Sequence, residues 1–197
     1  MEKMKSIDTQ KLVMLALFTA MVIALQVLGG FIRFGQFSVS LVLMPIAIGA
    51  ALLGILAGAW LGLVFGFVVL ISGDSSAFLA INPAATVLIV LLKGALAGFV
   101  AGLMYKLFEN RNKTVAAVIA AVVCPIINTG VLILGCYIFF LPTLTQWGLA
   151  AGASGATAFI FLVLIGANFF FELGVNIILS PAIVRLIQYR RSLKAES

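Results

Sequence analysis

Four apolar runs, at roughly 12–32, 83–107, 114–140 and 157–184, are each long enough to cross a lipid bilayer as a helix. Charge, proline or glycine-rich polar sequence bounds each of them. Between the first and second lies Ser38–Ser72, 35 residues without one charge. At 1.5 Å per residue a single helix of that length would run roughly 50 Å, well beyond hydrocarbon about 30 Å thick. Division near Gly54–Gly58 gives spans at about 38–54 and 56–72, both near the lower limit of about 17 residues. The turn between them must be very tight, and glycine can make it. The pattern predicts an all-α integral membrane protein, a single membrane domain over residues 1–197 built as a bundle of six transmembrane helices.

Composition agrees. The chain is 64% hydrophobic and 9% charged, against the roughly half apolar and quarter charged make-up of soluble domains. Spans fill most of it, leaving little for a separate soluble domain. The net charge of +6 comes from basic residues that form no patch interleaved with aromatics, so no nucleic-acid partner is expected. Their positions instead set an orientation. With an even number of spans, ten of the twelve fall on one side: Lys3, Lys5, Lys11, Lys106, Arg111, Lys113, Arg185, Arg190, Arg191 and Lys194. Arg33 alone falls on the other, and Lys93 lies inside a span. The bias of Lys and Arg toward the cytoplasm predicts that both termini are cytoplasmic in a multi-pass cell-membrane protein. The first run is about 20 residues long and has no small-x-small cleavage site, so it reads as a retained span rather than a signal peptide. Cys124 and Cys136 lack paired or metal-ligand spacing and read as packing residues.

Enzyme chemistry finds little to stand on. There is no histidine, which removes His-based metal sites and the usual general base for a serine or cysteine nucleophile. Gly152-Ala-Ser154-Gly155 resembles a Gly-x-Ser-Gly protease motif but has no histidine partner, and reads as a flexible outer loop. No Walker-type phosphate loop occurs, so ATP hydrolysis would have to come from a partner. No enzyme activity, cofactor or metal is expected.

The informative positions are polar groups inside the bilayer, because such groups are costly there and face a cavity or a partner. Lys93 lies midway along the fourth span. Glu172 lies past the middle of the sixth, with Asn168 and Asn176 four residues either side on one helix face. Asn128 sits near the middle of the fifth. Two roles are open to this set: structural glue, in which Lys93 and Glu172 pair and the amides bridge helices, and a binding cavity for a polar solute. Glu172, toward the cytoplasmic half, fits glue better. Lys93 fits ligand contact better, since a buried ammonium can receive a carboxylate or phosphate. Two outer segments could close over a small solute: Arg33-Phe34-Gly35-Gln36-Phe37, and Gly73-Asp74-Ser75-Ser76-Ala77-Phe78. Each also reads as a solvated loop with aromatics anchored at the interface. Asn82-Pro83 most simply caps and opens the fourth helix. Glycines at four-residue intervals, Gly54 to Gly66 and Gly94 to Gly102, with Gly49 five residues before Gly54, predict close helix packing.

Several stretches in order resemble the S components of energy-coupling-factor (ECF) transporters, small subunits that capture vitamins. The first span holds Ala16-Leu-Phe-Thr-Ala20 with Ala24 extending the spacing, similar to the Ala-x-x-x-Ala surface by which S components dock on a coupling subunit. Pro45, Gly49, Gly54, Gly58, Gly62 and Gly66 resemble the family's progression through spans two and three, and Lys93-Gly94, Gly98, Gly102 and Tyr105-Lys106 its fourth span. The chain departs from many relatives at Ile55 and Leu56, where they carry proline and a basic residue. The resemblance implies a subunit that performs no chemistry itself and binds its solute in an outward-facing pocket. It further implies a coupling membrane subunit and two cytoplasmic ATPase subunits as partners. Carried over to this chain, substrate contacts would come from Arg33, Gln36, Asp74, Asn82, Lys93, Asn128 and Asn168, and partner docking from Ala16, Ala20 and Ala24. Lys93 with Arg33 suits an anionic solute, so pantothenate is expected ahead of riboflavin or a pyridoxine-like compound. The alternative is an autonomous secondary transporter or channel that uses Glu172 in proton coupling.

Overall fold

The computed structural model describes residues 9–30, 33–34, 37–38, 41–166 and 169–178. Helix α1, Thr9–Gly29, is followed by a minimal antiparallel hairpin, β1 Arg33–Phe34 and β2 Phe37–Ser38, with Arg33 opposite Ser38 and Phe34 opposite Phe37. Helices α2, Leu43–Leu53, and α3, Ile55–Ile71, come next. A short α4, Ser76–Leu79, leads into the long α5, Pro83–Phe108, and α6, Lys113–Phe139. The chain then forms α7, Leu141–Ala150, and α8, Ala156–Phe159, which runs into a π-helical turn, Ile160–Ile165. A last helix, α9, covers Phe169–Ile178. Among the described residues the fold is therefore helical, apart from the hairpin.

Helices α1, α5 and α6 are each long and apolar enough to cross a membrane, whereas α2, α3 and α9 are shorter apolar helices. The division expected within the charge-free stretch falls at Gly54, whose φ of 105° is a conformation glycine adopts without penalty. The helix at the place of the expected second span is shorter than that expectation, since α2 begins at Leu43 and residues 37–38 belong to the hairpin. Leu43, Ile46, Ala47 and Ala50 of α2 are buried, as suits a helix apolar all round at the centre of a bundle. The expected sixth span is not one uninterrupted α-helix in its described part, because the π turn and Gly166 separate α8 from α9. The segment 152–155, expected as a flexible outer loop, follows α7, whose Leu144 and Gly148 are buried.

Helix α5 packs most extensively, against α3 and α6. Its start is fixed by Asn82, whose side chain accepts from Ala85 N at 3.1 Å, and by Pro83 at the first helical position. At the start of α6, Asn112 accepts from Thr114 N and Val115 N at 2.9 and 3.2 Å. The α3–α5 seam is backbone on backbone: Gly58 lies on Gly98, Gly62 on Gly94, and Gly66 on the Val90 carbonyl. That antiparallel register places the end of α3, α4 and the start of α5 at one end of the bundle. The Gly54 turn and residues 109–112 lie at the other. Large apolar side chains point outward all round, among them Leu17, Leu56, Ile138, Leu162 and Phe170. A face of that composition belongs against lipid, and this is a multi-pass membrane protein.

Candidate functional site

One cavity, of about 70 Å³, opens between α1, α3, α5 and α6 at the end of the bundle that carries α4 and α7. Helix α5 gives it Thr86, Ile89, Val90 and Lys93, whose spacing places them on one helix face. Helix α6 gives Leu132 and Cys136, with Phe140 one turn further on. The remaining wall comes from Gln26 of α1, Val69 of α3, and Asp74, Ser75 and Phe78 beyond it.

The rim is aromatic. Phe78 meets Phe140 edge to face at 5.0 Å between centroids, Phe78 meets Trp147 at 5.8 Å, and Trp147 meets Phe159 at 6.4 Å. Aromatic pairs at these separations are favourable beyond their buried area. They tie α4, α6, α7 and α8 into one apolar cluster over the cavity.

Polar groups in the cavity are few and mostly fixed. Gln26, almost fully buried in the last turn of α1, donates from Nε2 to Asp74 Oδ2 at 2.9 Å. Ser72 Oγ donates to the same carboxylate oxygen at 3.2 Å. Thr86 Oγ1 donates to the Asn82 carbonyl at 2.8 Å, and Ser75 Oγ to the Val69 carbonyl at 3.4 Å. Lys93 is different. Its Nζ lies 5.1 Å from the centre of the Phe65 ring, within cation–π range, and it makes no hydrogen bond or ion pair among the described residues. Glu172 and Asp74 are the carboxylates whose charges attract it.

Of the expected contacts, the structure brings Lys93 and Asp74 together on one cavity. Asn82 lies outside the lining and holds the end of α5 instead. Asn128 is buried one turn of α6 beyond Leu132, also outside the lining, and its Oδ1 finds no partner among the described residues. Glu172 and Asn176 are buried on α9, where Asn176 Nδ2 donates to the Glu172 carbonyl at 2.7 Å. Arg33 sits in β1. Gln36 and Asn168 lie outside the described residues. Ala16, Ala20 and Ala24 are exposed along α1, beside the exposed Leu17, Met21 and Leu28. The residue missed by sequence reasoning is Gln26. Its signal in the sequence is an amide within an otherwise apolar span.

A model of the family described as "ECF transporter, substrate-specific component" matches residues 10–184. No curated protein and no solved structure matches the chain.

Proposed function

We propose that this chain, which belongs to the family of ECF transporter substrate-specific components, takes up a water-soluble vitamin or related micronutrient in the cavity around Lys93. As a family member it is a membrane subunit that binds a transported small molecule and works with an ECF module. The finer reading is capture from outside the cell, most simply of pantothenate, then of riboflavin or a pyridoxine-like compound. Release inside is driven by ATP through a coupling membrane subunit and two cytoplasmic ATPase subunits. Six spans, α1, α2, α3, α5, α6 and the α8–α9 segment, would then run through the plasma membrane of a bacterium. The excess of Lys and Arg on one side supports cytoplasmic termini and a cavity that opens toward the outside.

The observation that carries this reading is Lys93. A buried ammonium with no ion pair or hydrogen bond among the described residues is expensive in hydrocarbon, and a solute carboxylate or carbonyl entering the cavity would match its donors. Apolar walls with a small number of placed polar groups are the usual make-up of a small-molecule site. The test is mass spectrometry of the molecule retained after gentle purification, with titration of pantothenate, riboflavin and pyridoxine into the emptied protein. Recovery of no small molecule, together with no binding of the three, would overturn the proposal.

A further inference from the structure

We propose that Gln26 is a substrate-contacting residue whose Oε1, oriented by Asp74, accepts a hydrogen bond from an O–H or N–H of the solute. This rests on the reading of the cavity as the solute pocket.

A glutamine amide has a donor end and an acceptor end, whereas an ionised carboxylate only accepts. Asp74 Oδ2, 2.9 Å away, can therefore be met by Nε2 alone. Turning the amide over would set oxygen against oxygen. Asp74 thus fixes which end of Gln26 remains, and that end is Oε1, buried and without a partner among the described residues. Buried acceptors are nearly always matched, so an unmatched one on a cavity wall calls for a donor to come from elsewhere.

The rest of the wall divides in the same sense. Ser75 and Thr86 spend their hydroxyl hydrogens on the Val69 and Asn82 carbonyls, so both present lone pairs to whatever enters. Acceptors therefore gather on Gln26, Asp74, Ser75 and Thr86, and, apart from the weak Cys136 thiol, the donors left without an acceptor among the described residues belong to Lys93. Ile89, Leu132 and Phe140 are apolar wall around them. The solute that matches this division is a small molecule with a hydroxylated or N–H-bearing end, an apolar or flat middle, and a carboxylate or carbonyl for Lys93. A solute whose two ends are both acceptors would leave Oε1 unmatched and is selected against.

The experiment uses the full chain in lipid nanodiscs. Pantothenate, riboflavin and pyridoxine are titrated, and the one that binds is compared with analogues that lack single donor groups, deoxy at each hydroxyl and N-methyl at each N–H. On the unaltered protein, loss of one particular donor should weaken binding about tenfold or more. On Gln26→Met the parent compound should lose a similar factor while that analogue changes by about twofold or less. Asp74→Asn, which lets the Gln26 amide sit either way, should lower the discrimination between parent and analogue. Gln26→Met that binds the parent unchanged, or weakens parent and analogue equally, overturns the inference and leaves the capture reading standing. Should Gln26→Met fail to fold, undiminished discrimination in Asp74→Asn overturns it. Binding of none of the three compounds to the unaltered protein overturns the capture reading, and this inference with it.

Discussion

A Cβ added to Gly62 would overlap the carbonyl oxygen of Gly94, and one added to Gly94 would overlap that of Gly62. The two helices are thus as close as backbones allow, and neither carbonyl can move without moving its helix. Lys93 precedes Gly94 directly, so the same contact sets how deep the lysine stands beside Phe65. Gly62→Ala is expected to cost about 1–3 kcal/mol through overpacking, read as a lower melting temperature or loss of folded protein in detergent. Gly130→Ala on α6 is the control, because a Cβ there meets nothing within 4 Å. Its change should be within about 1 kcal/mol of zero. Equal stability of the two variants would contradict the packing described.

Replacing Lys93 by Met keeps most of the side chain's length and removes its charge. For an anionic solute the expected loss of affinity is about tenfold to a hundredfold, the worth of a hydrogen bond to a charged group. Calorimetric titration of the purified chain reads it directly. Unchanged affinity would remove Lys93 from the site.

The long helices were legible because length and apolarity alone specify them; α5 and α6 depart from the expected ends by at most one residue, and α1 by three. Gly54 was legible too, because 35 charge-free residues had to turn somewhere. Helix α7 was not, since Leu141–Ala150 carries polar Thr143, Thr145 and Gln146 among its apolar positions, and its burial depends on Phe78 and Phe159 from distant segments. The site was half legible for a related reason. Lys93 stands out by its cost in hydrocarbon, whereas the importance of Gln26 rests on Asp74, 48 positions away, reaching it. Asn82 reads most simply as a cap, with a contact implied only by the resemblance, and the bond to Ala85 N shows the cap.

That bond gives a separate test. Asn82→Ala should cost about 1 kcal/mol of stability, as loss of a helix cap does. The Thr86 hydroxyl keeps its acceptor, because that acceptor is the Asn82 backbone carbonyl. Solute affinity should therefore stay within about twofold, a change worth less than one hydrogen bond. A large fall in affinity with unchanged melting would instead place the Asn82 side chain against the solute.

Ala16, Ala20 and Ala24 form an exposed small-residue ridge on α1, while Val22, Gln26 and Gly29 face the bundle. Small residues at four-residue spacing let a second helix approach closely, and a bulky side chain there keeps it away. Ala16→Trp or Ala20→Trp should therefore block co-purification with a coupling subunit and its ATPases and abolish ATP-driven uptake. Solute binding by the isolated chain should persist, because Gln26 and the cavity lie on the opposite face of α1. The split between the two readouts is the informative result. Loss of both would show a folding defect, and intact assembly with either tryptophan would place the docking surface elsewhere.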